Sequence, residues 1–127
     1  MRKSSLFAAM LAAASIVCSA PKPHIISEDS NGKTLSVARD TTFTIALKGN
    51  ASTGYSWNIQ DLDTTILWKS GQGRFIGRDT IPGTSGTFYL DFRPKKKGVS
   101  TIRLVYSREW ETGVPPEDSF TVTIRVK

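Results

Sequence analysis

From Lys33 onward, apolar side chains recur at every second position of the chain. A β-strand points successive side chains to opposite faces, so this period predicts strands that bury one face. No stretch beyond the first twenty residues shows the apolar spacing of a helix. The chain is therefore predicted to be all-β. The alternating runs are Leu35 and Val37; Phe43, Ile45 and Leu47; Phe88, Leu90 and Phe92; Ile102, Leu104 and Tyr106; and Phe120, Val122, Ile124 and Val126.

Clusters of Gly, Pro, Asn, Asp and Ser separate these runs and are typical of turns. The chain has 127 residues, which suits one domain with one core. Seven or eight short strands favour an immunoglobulin-like β-sandwich, with a small barrel as the alternative. The predicted strands cover about 33–38, 42–48, 55–59, 65–69, 73–78, 86–92, 99–107 and 119–126.

The N-terminus combines a basic start, an apolar Ala-rich stretch over 6–17 and the small residues Ser19 and Ala20. This order predicts a secretory signal peptide over residues 1–20 and therefore export, with a periplasmic, secreted or lipid-anchored destination. The apolar stretch is shorter than the roughly 20 residues that cross a bilayer, so no membrane span is expected. Residues 21–30 are predicted to be a short linker, and residues 31–127 the folded domain.

Cys18 is the single cysteine of the chain and lies just past the apolar stretch. A lipid-modified cysteine of a bacterial lipoprotein would lie there, but Val17 stands where a small residue is expected. Lipid attachment at Cys18 and an ordinary residue of a discarded leader both stay open. In either case the domain has no disulfide, no thiol nucleophile and no cysteine metal ligand.

The formal net charge is +6, and the cationic run Lys95–Lys97 lies between Pro94 and Gly98. That setting predicts a solvated turn rather than a surface for nucleic acid.

Catalysis is not expected. The single histidine, His24, lies in the N-terminal segment, and carboxylate pairs such as Glu109 with Glu111 or Asp118 are predicted to be solvated. A nucleophile, a base and oxyanion donors cannot be assembled from these residues. We therefore predict a binding protein that works without a cofactor or a metal.

The first of three informative loops covers residues 49–57. Its glycines permit positive φ, and Asn50, Ser52 and Thr53 can bond to neighbouring backbone, so the loop can hold a defined shape. The alternative is a long turn whose Tyr55 and Trp57 pack into the core.

Two further loops carry residues that a simple turn does not need. The second, 82–86, is a hairpin tip with two glycines and is a weak signal alone. The third, 107–116, holds Arg108 and Trp110 and is stiffened by two prolines. Arg and Trp dominate interface hot spots, although Trp110 could instead fold back over the end of the sandwich.

Together the loops resemble those of the chagasin family of cysteine-peptidase inhibitors. The family's first loop carries Asn-Pro-Thr-Thr-Gly-aromatic followed by Trp, and its third carries Arg-Pro-Trp. Ala51 and Glu109 replace the two prolines, and Ser52 replaces the first Thr. The resemblance covers about residues 30–127. The matching segments are Asn50-Ala51-Ser52-Thr53-Gly54-Tyr55 with Trp57, Gly83-Thr84-Ser85-Gly86 and Arg108-Glu109-Trp110.

The resemblance implies an immunoglobulin-like sandwich whose three loops enter the active-site cleft of papain-like peptidases and block it reversibly. We also predict that the chain is a monomer. It places Ser52 and Thr53 nearest the catalytic cysteine, the 83–86 loop on one side of the cleft, and Arg108 and Trp110 on the other. Without the two prolines, loops 1 and 3 have more conformational freedom to lose on binding, which costs about 0.4–1 kcal/mol of binding free energy for each proline.

The rival hypothesis is an exported adhesion or envelope module on the same fold without inhibitory activity. The loops discriminate between the two: Ser52, Thr53 and Trp110 should share one exposed edge in an inhibitor.

Overall fold

A computed structural model describes residues 24–78 and 83–127 of the chain. The predicted signal peptide, Cys18 included, and residues 79–82 lie outside the described residues. Short 3-10 helices cover Glu28–Ser30 and Ala51–Thr53. The described part contains nine strands: β1 His24–Ile26, β2 Thr34–Val37, β3 Phe43–Gly49, β4 Ser56–Asp61, β5 Leu67–Lys69, β6 Arg74–Gly77, β7 Gly86–Pro94, β8 Gly98–Ser107 and β9 Asp118–Val126.

The strands form two sheets. One has the order β1-β3-β7-β5, and β6 also pairs with β7, along the same edge as β5. The other has the order β2-β9-β8-β4. The pairs β1–β3 and β2–β9 are parallel and the remaining pairs are antiparallel. This architecture confirms the predicted immunoglobulin-like β-sandwich.

The core lies between the sheets and is built from the alternating positions. Phe43, Ile45 and Leu47 of β3 are buried, and the intervening side chains are not. The rings of Phe43 and Phe92 stack with their centroids 5.5 Å apart. Burial of one face per strand accounts for the period of two in the sequence.

Strand β1 lies where the sequence predicts a linker over 21–30. It runs parallel to β3, with Ile26 opposite Ile45, and Ile26 is only 2% exposed. Three residues are too few to display a period of two, and Ile25 beside it faces outward. The folded domain therefore includes residues from His24 onward.

Strand register brings three connections to one end of the sandwich, which we call the loop end. Gly86 pairs with both Gly49 and Gly77, and Ser107 pairs with Ser56. The connections are loop 1 (50–55, between β3 and β4), loop 2 (78–85, between β6 and β7) and loop 3 (108–117, between β8 and β9). The turns at 38–42, 62–66 and 95–97 lie at the opposite end, the far end.

Across residues 24–78 and 83–127, no helix is long and apolar enough to cross a membrane.

Candidate functional site

Loop 1 is held in a compact turn by Asn50. The Asn50 Oδ1 atom accepts hydrogen bonds from the Ser52 backbone N–H (3.0 Å) and the Ser52 hydroxyl (2.6 Å). The Thr53 hydroxyl donates to the Asn50 carbonyl oxygen at 2.8 Å. Asn is a favoured residue before the first turn of a helix, since its side chain satisfies a free N–H. Gly54 ends the turn with φ +85°, in the left-handed region that glycine adopts without strain.

Aromatic side chains support loop 1 from below. Trp57 is 7% exposed and its indole N–H donates to the Lys48 carbonyl oxygen at 3.0 Å. The Tyr106 hydroxyl accepts from the Asn50 N–H at 2.8 Å. Tyr55 stacks on Tyr106 at 5.1 Å between centroids and is half-buried. The interpretation that these aromatics pack inward thus holds for Trp57 and in part for Tyr55, while the tip of the loop stays exposed.

Loop 2 is tied to loop 1 through the same asparagine. The Asn50 amide donates from Nδ2 to the Gly83 carbonyl oxygen at 3.0 Å. Gly83 has φ +89°, and Thr84 beside it is half-buried. The Arg78 N–H donates to the Ser85 carbonyl oxygen at 2.9 Å across the base of the loop. Asn50 therefore orders loop 1 and anchors loop 2 with one side chain.

Gly86, the last residue of the predicted second loop, has a different place. It is the first residue of β7 and is buried. A Cβ at this position would overlap the Ile76 carbonyl oxygen and the Gly77 Cα atom. The structure explains this glycine by close strand packing in the sandwich.

Loop 3 is joined to loop 1 by Arg108. Its Nε donates to the Thr53 carbonyl oxygen at 2.9 Å, and its Cζ lies 4.4 Å from the centroid of the Tyr55 ring. A salt bridge of 3.6 Å also joins the guanidinium to Glu111. The Glu111 N–H also donates to the Arg108 carbonyl oxygen at 3.1 Å, so Arg108 to Glu111 form a β-turn with Glu109 in its second position.

Trp110 occupies the third position of that turn and is 68% exposed. A Cβ at Gly54 would overlap the six-membered ring of this indole, so the ring lies directly against the loop 1 backbone. Trp110 therefore lies against loop 1 at the loop end and keeps most of its surface exposed.

Ser52, Thr53 and Trp110 thus share one exposed edge, as an inhibitor requires. Ala51 and Glu109 are exposed on the same edge. Within the described ranges, no group of three His, Cys, Asp or Glu side chains could hold a metal ion. The site is suited to contact with a macromolecule through backbone, hydroxyl and indole groups.

Tyr106 is the site residue that sequence reasoning missed. It bonds to Asn50, stacks on Tyr55 and lies 5.1 Å from the Trp57 ring. One signal in the sequence could have identified it: Tyr106 stands in the alternating run of β8, just before loop 3. An aliphatic residue would fill the core there, whereas the hydroxyl of a tyrosine needs a hydrogen-bond partner.

The chain matches the model of the chagasin family of peptidase inhibitors (I42) over residues 36–124. Amoebiasin-2 of Entamoeba histolytica is 33% identical over 113 residues, which span 82% of this chain and 85% of amoebiasin-2. Chagasin of Trypanosoma cruzi is 28% identical over 108 residues, 82% of this chain and 96% of chagasin. The crystal structure of the cysteine protease inhibitor EhICP2 from Entamoeba histolytica superposes with a TM-score of 0.72 at 32% identity, covering 82% of this chain and 95% of EhICP2. By its matched sequence and its fold, this chain belongs to the chagasin family of peptidase inhibitors.

Proposed function

We propose that this chain is a reversible inhibitor of papain-like cysteine peptidases, and that loops 1, 2 and 3 together fill the active-site cleft. The observation that carries the proposal is the bonding of all three loops into one exposed edge: Asn50 joins loops 1 and 2, and Arg108 joins loops 1 and 3. Support also comes from EhICP2, described as a cysteine protease inhibitor, at 32% identity.

Loop 1 would enter the cleft, with Ser52 and Thr53 nearest the catalytic cysteine. Peptidases of this class cleave segments that lie extended through the cleft. The turn at Ala51–Thr53 and the positive φ of Gly54 keep loop 1 away from an extended path. The bonds from Ser52 and Thr53 to Asn50 oppose its opening, so the loop can occupy the cleft without being cut.

Loop 3 would contribute most of the apolar contact. Burying a large part of an exposed indole in a protein interface is a frequent source of binding energy, and Trp is enriched among hot spots. Trp110 is already positioned against Gly54, so little side-chain freedom is lost on binding. Loop 2 would touch the other wall of the cleft through backbone groups around Gly83 to Ser85.

The rival function, a passive adhesion or envelope module, gives no reason for this edge. A passive module would not need an exposed Trp held by a glycine contact, nor two loops tied to a third. Inhibition accounts for each of these features.

We further propose that the inhibitor acts after export, on the strength of the signal-peptide pattern in residues 1–20. Secretion from an exporting host and the mass of the recovered chain would test this: a chain that keeps Met1 and stays in the cytoplasm would contradict it.

Occupation of the cleft can be tested with two blocked forms of papain. One form carries only a small alkyl group on its catalytic cysteine, and the other carries a covalent peptide that fills the cleft. We expect the purified chain to bind the alkylated form and to bind the peptide-filled form far more weakly. Equal binding to both forms would mean that the chain attaches outside the cleft.

A further inference from the structure

The far end of the sandwich carries an exposed tryptophan with two cations close to its ring. Trp68 in β5 is 46% exposed. Arg93 Cζ lies 5.3 Å and Lys95 Nζ 4.9 Å from the centroid of its ring. Lys96 and Lys97 follow in the same turn and are exposed. We call these five residues, Trp68, Arg93, Lys95, Lys96 and Lys97, the basic patch.

Among the described residues, no salt bridge joins the basic patch to a carboxylate. The salt bridges there join Arg74 to Asp91 and Arg108 to Glu111. Lys95 donates from Nζ to the neutral Thr64 carbonyl oxygen at 2.7 Å.

Asp63, on the neighbouring turn, offsets part of the charge of the patch: hydrogen bonds from Thr65 and, to a smaller extent, the positive charge of Lys96 lower the pKa of its carboxyl. Its Oδ1 atom accepts from the Thr65 N–H at 2.9 Å and from the Thr65 hydroxyl at 2.6 Å. Lys96 and Lys97 are therefore exposed cations available to an external anion, and the indole of Trp68 is exposed close to them.

Carboxylates outnumber cations at the loop end. Among the described residues of the three loops and the start of β9, the carboxylates are Glu109, Glu111, Glu117 and Asp118, and the cations are Arg78 and Arg108. Strand β7 has nine residues and runs from the loop end to the basic patch, a span of about 25–30 Å at roughly 3.3 Å per residue. Such a separation of charge orients a protein in the field of an anionic surface, with the basic patch toward it.

The chain also enters the domain at the far end. His24 starts β1 opposite Phe43, and Phe43 pairs with Phe92 near the end of β7 that carries the basic patch. His24 therefore lies at the same end of the sandwich as the patch and away from the loops, on the opposite edge of the sheet from β5.

We propose that the basic patch docks on a membrane surface rich in anionic phospholipid, so that the three loops point into solution. Trp is the residue that prefers the headgroup region, and nearby Lys and Arg attract anionic lipids, with each cation worth about a fivefold gain in binding. The exposed Trp68 close to these cations favours the headgroup region of a membrane over a soluble polyanion, which would need the cations alone. The surface is separate from the inhibitory edge, so its failure would leave the proposed inhibition untouched.

Vesicle binding tests the proposal. The full chain is mixed with vesicles of phosphatidylglycerol and phosphatidylcholine, or of phosphatidylcholine alone, and sedimented. The affinity ratio between the two lipids is compared for the natural chain, for Lys96→Glu with Lys97→Glu, and for Lys33→Glu with Lys48→Glu as a control of equal charge change. Because every variant keeps the same N-terminal segment, any contribution of that segment cancels in the comparison.

We expect the natural chain to prefer anionic vesicles, the Lys96 and Lys97 variant to lose that preference at least about tenfold, and the control to lose much less. The preference should fall as salt is raised, and papain inhibition should not change in the Lys96 and Lys97 variant. Equal losses in the two variants would overturn the proposal. So would retention on a sulfated polysaccharide without binding to anionic vesicles.

Fluorescence tests the orientation. The chain has three tryptophans, of which Trp57 is buried and Trp110 lies at the loop end. Brominated lipid chains in anionic vesicles should quench part of the emission of the natural chain and leave Trp68→Phe unquenched. Quenching that persists in Trp68→Phe would mean that the loop end faces the lipid, contrary to the proposal.

Discussion

Arg108 donates a hydrogen bond of 2.9 Å from Nε to the carbonyl oxygen of Thr53, a residue 55 positions earlier in the chain. The bond crosses from loop 3 to the tip of loop 1, where the enzyme's catalytic cysteine is expected. It makes the position of Trp110 depend on the conformation of Thr53. Loops 1 and 3 should therefore act as one binding surface, and damage to either should weaken both.

Replacement of Arg108 by Lys should separate the loops while keeping the charge. The planar guanidinium of Arg108 donates to the Thr53 carbonyl oxygen while its face stacks on Tyr55. A lysine ammonium cannot make both contacts at once, so we expect papain inhibition to weaken by about tenfold. The measurement is the inhibition constant, with thermal unfolding as a check on the fold. Arg103→Lys, which changes an exposed contact between β8 and Gln60 of the neighbouring strand β4, is the control and should inhibit normally. Equal inhibition by both variants would contradict the role of Arg108.

The contact between Gly54 and Trp110 predicts a loss on adding one methyl group. Gly54→Ala places a Cβ where the Trp110 ring lies, so the indole must move and inhibition should fall by at least about tenfold. Gly32→Ala has nearly the same backbone angle, φ +80° against +85°, with no atom within 4 Å of the added Cβ. Both variants should lose about 1–2 kcal/mol of unfolding free energy from the positive φ.

Only Gly54→Ala should lose inhibition in that pair. If Gly32→Ala weakens inhibition as much, the loss reflects general destabilisation and the contact has no special role. Residual inhibition of Gly54→Ala should not fall much further when Trp110→Ala is added, because the two residues act through one contact.

Restoring the missing prolines should strengthen inhibition. Ala51 begins the short helix after an extended Asn50, with ψ of 103°, a setting that accepts proline. Glu109 occupies the second position of the turn from Arg108 to Glu111, which also favours proline. Ala51→Pro and Glu109→Pro should each stabilise the fold by about 0.4–1 kcal/mol and tighten inhibition by about two- to fivefold. Thermal unfolding and inhibition constants measure both effects, and a lower melting temperature in either variant would contradict the loop geometry.

Asp91 on the outer face of the β3–β7 sheet predicts a dependence of stability on pH. A hydrogen bond from the Thr44 hydroxyl at 2.5 Å, and then Arg74 at 2.8 Å, lower the pKa of Asp91 below its usual value. Since the folded pKa is lowered, the stabilisation is present above the unfolded pKa, about 3.9, and is lost as pH falls through the folded pKa. Asp91→Asn should therefore flatten the fall of melting temperature between about pH 5 and 2. Parallel curves for the variant and the natural chain would contradict this account.

The fold could be read from the sequence because its strands are long enough to show alternation. Strands β3, β7, β8 and β9 each bury one face, so apolar residues recur at every second position along them. Strand β1 was not predicted because its pairing with β3 depends on a partner some twenty residues away and leaves no local pattern in the sequence.

The candidate site could be predicted in outline but not in its contacts. Asn50, Thr53, Arg108 and Trp110 stand out as residue types that turns do not require. Their bonds join residues up to 56 positions apart, and such contacts follow from the register of the strands beneath them. The contacts of the exposed Trp68 with Arg93 and Lys95 likewise depend on the pairing of β5 with β7.

A titration of active papain tests the central claim most directly. A fixed amount of enzyme is mixed with increasing amounts of the natural chain, or of a variant carrying Ser52→Ala, Thr53→Ala and Trp110→Ala, and hydrolysis of a small substrate is followed. Thermal unfolding first checks that the triple variant is folded like the natural chain. We expect the natural chain to abolish hydrolysis and the triple variant to leave most of the hydrolysis intact. No inhibition by the natural chain at micromolar excess over papain and over a cathepsin L, or equal inhibition by the triple variant, would contradict the proposed inhibitory edge.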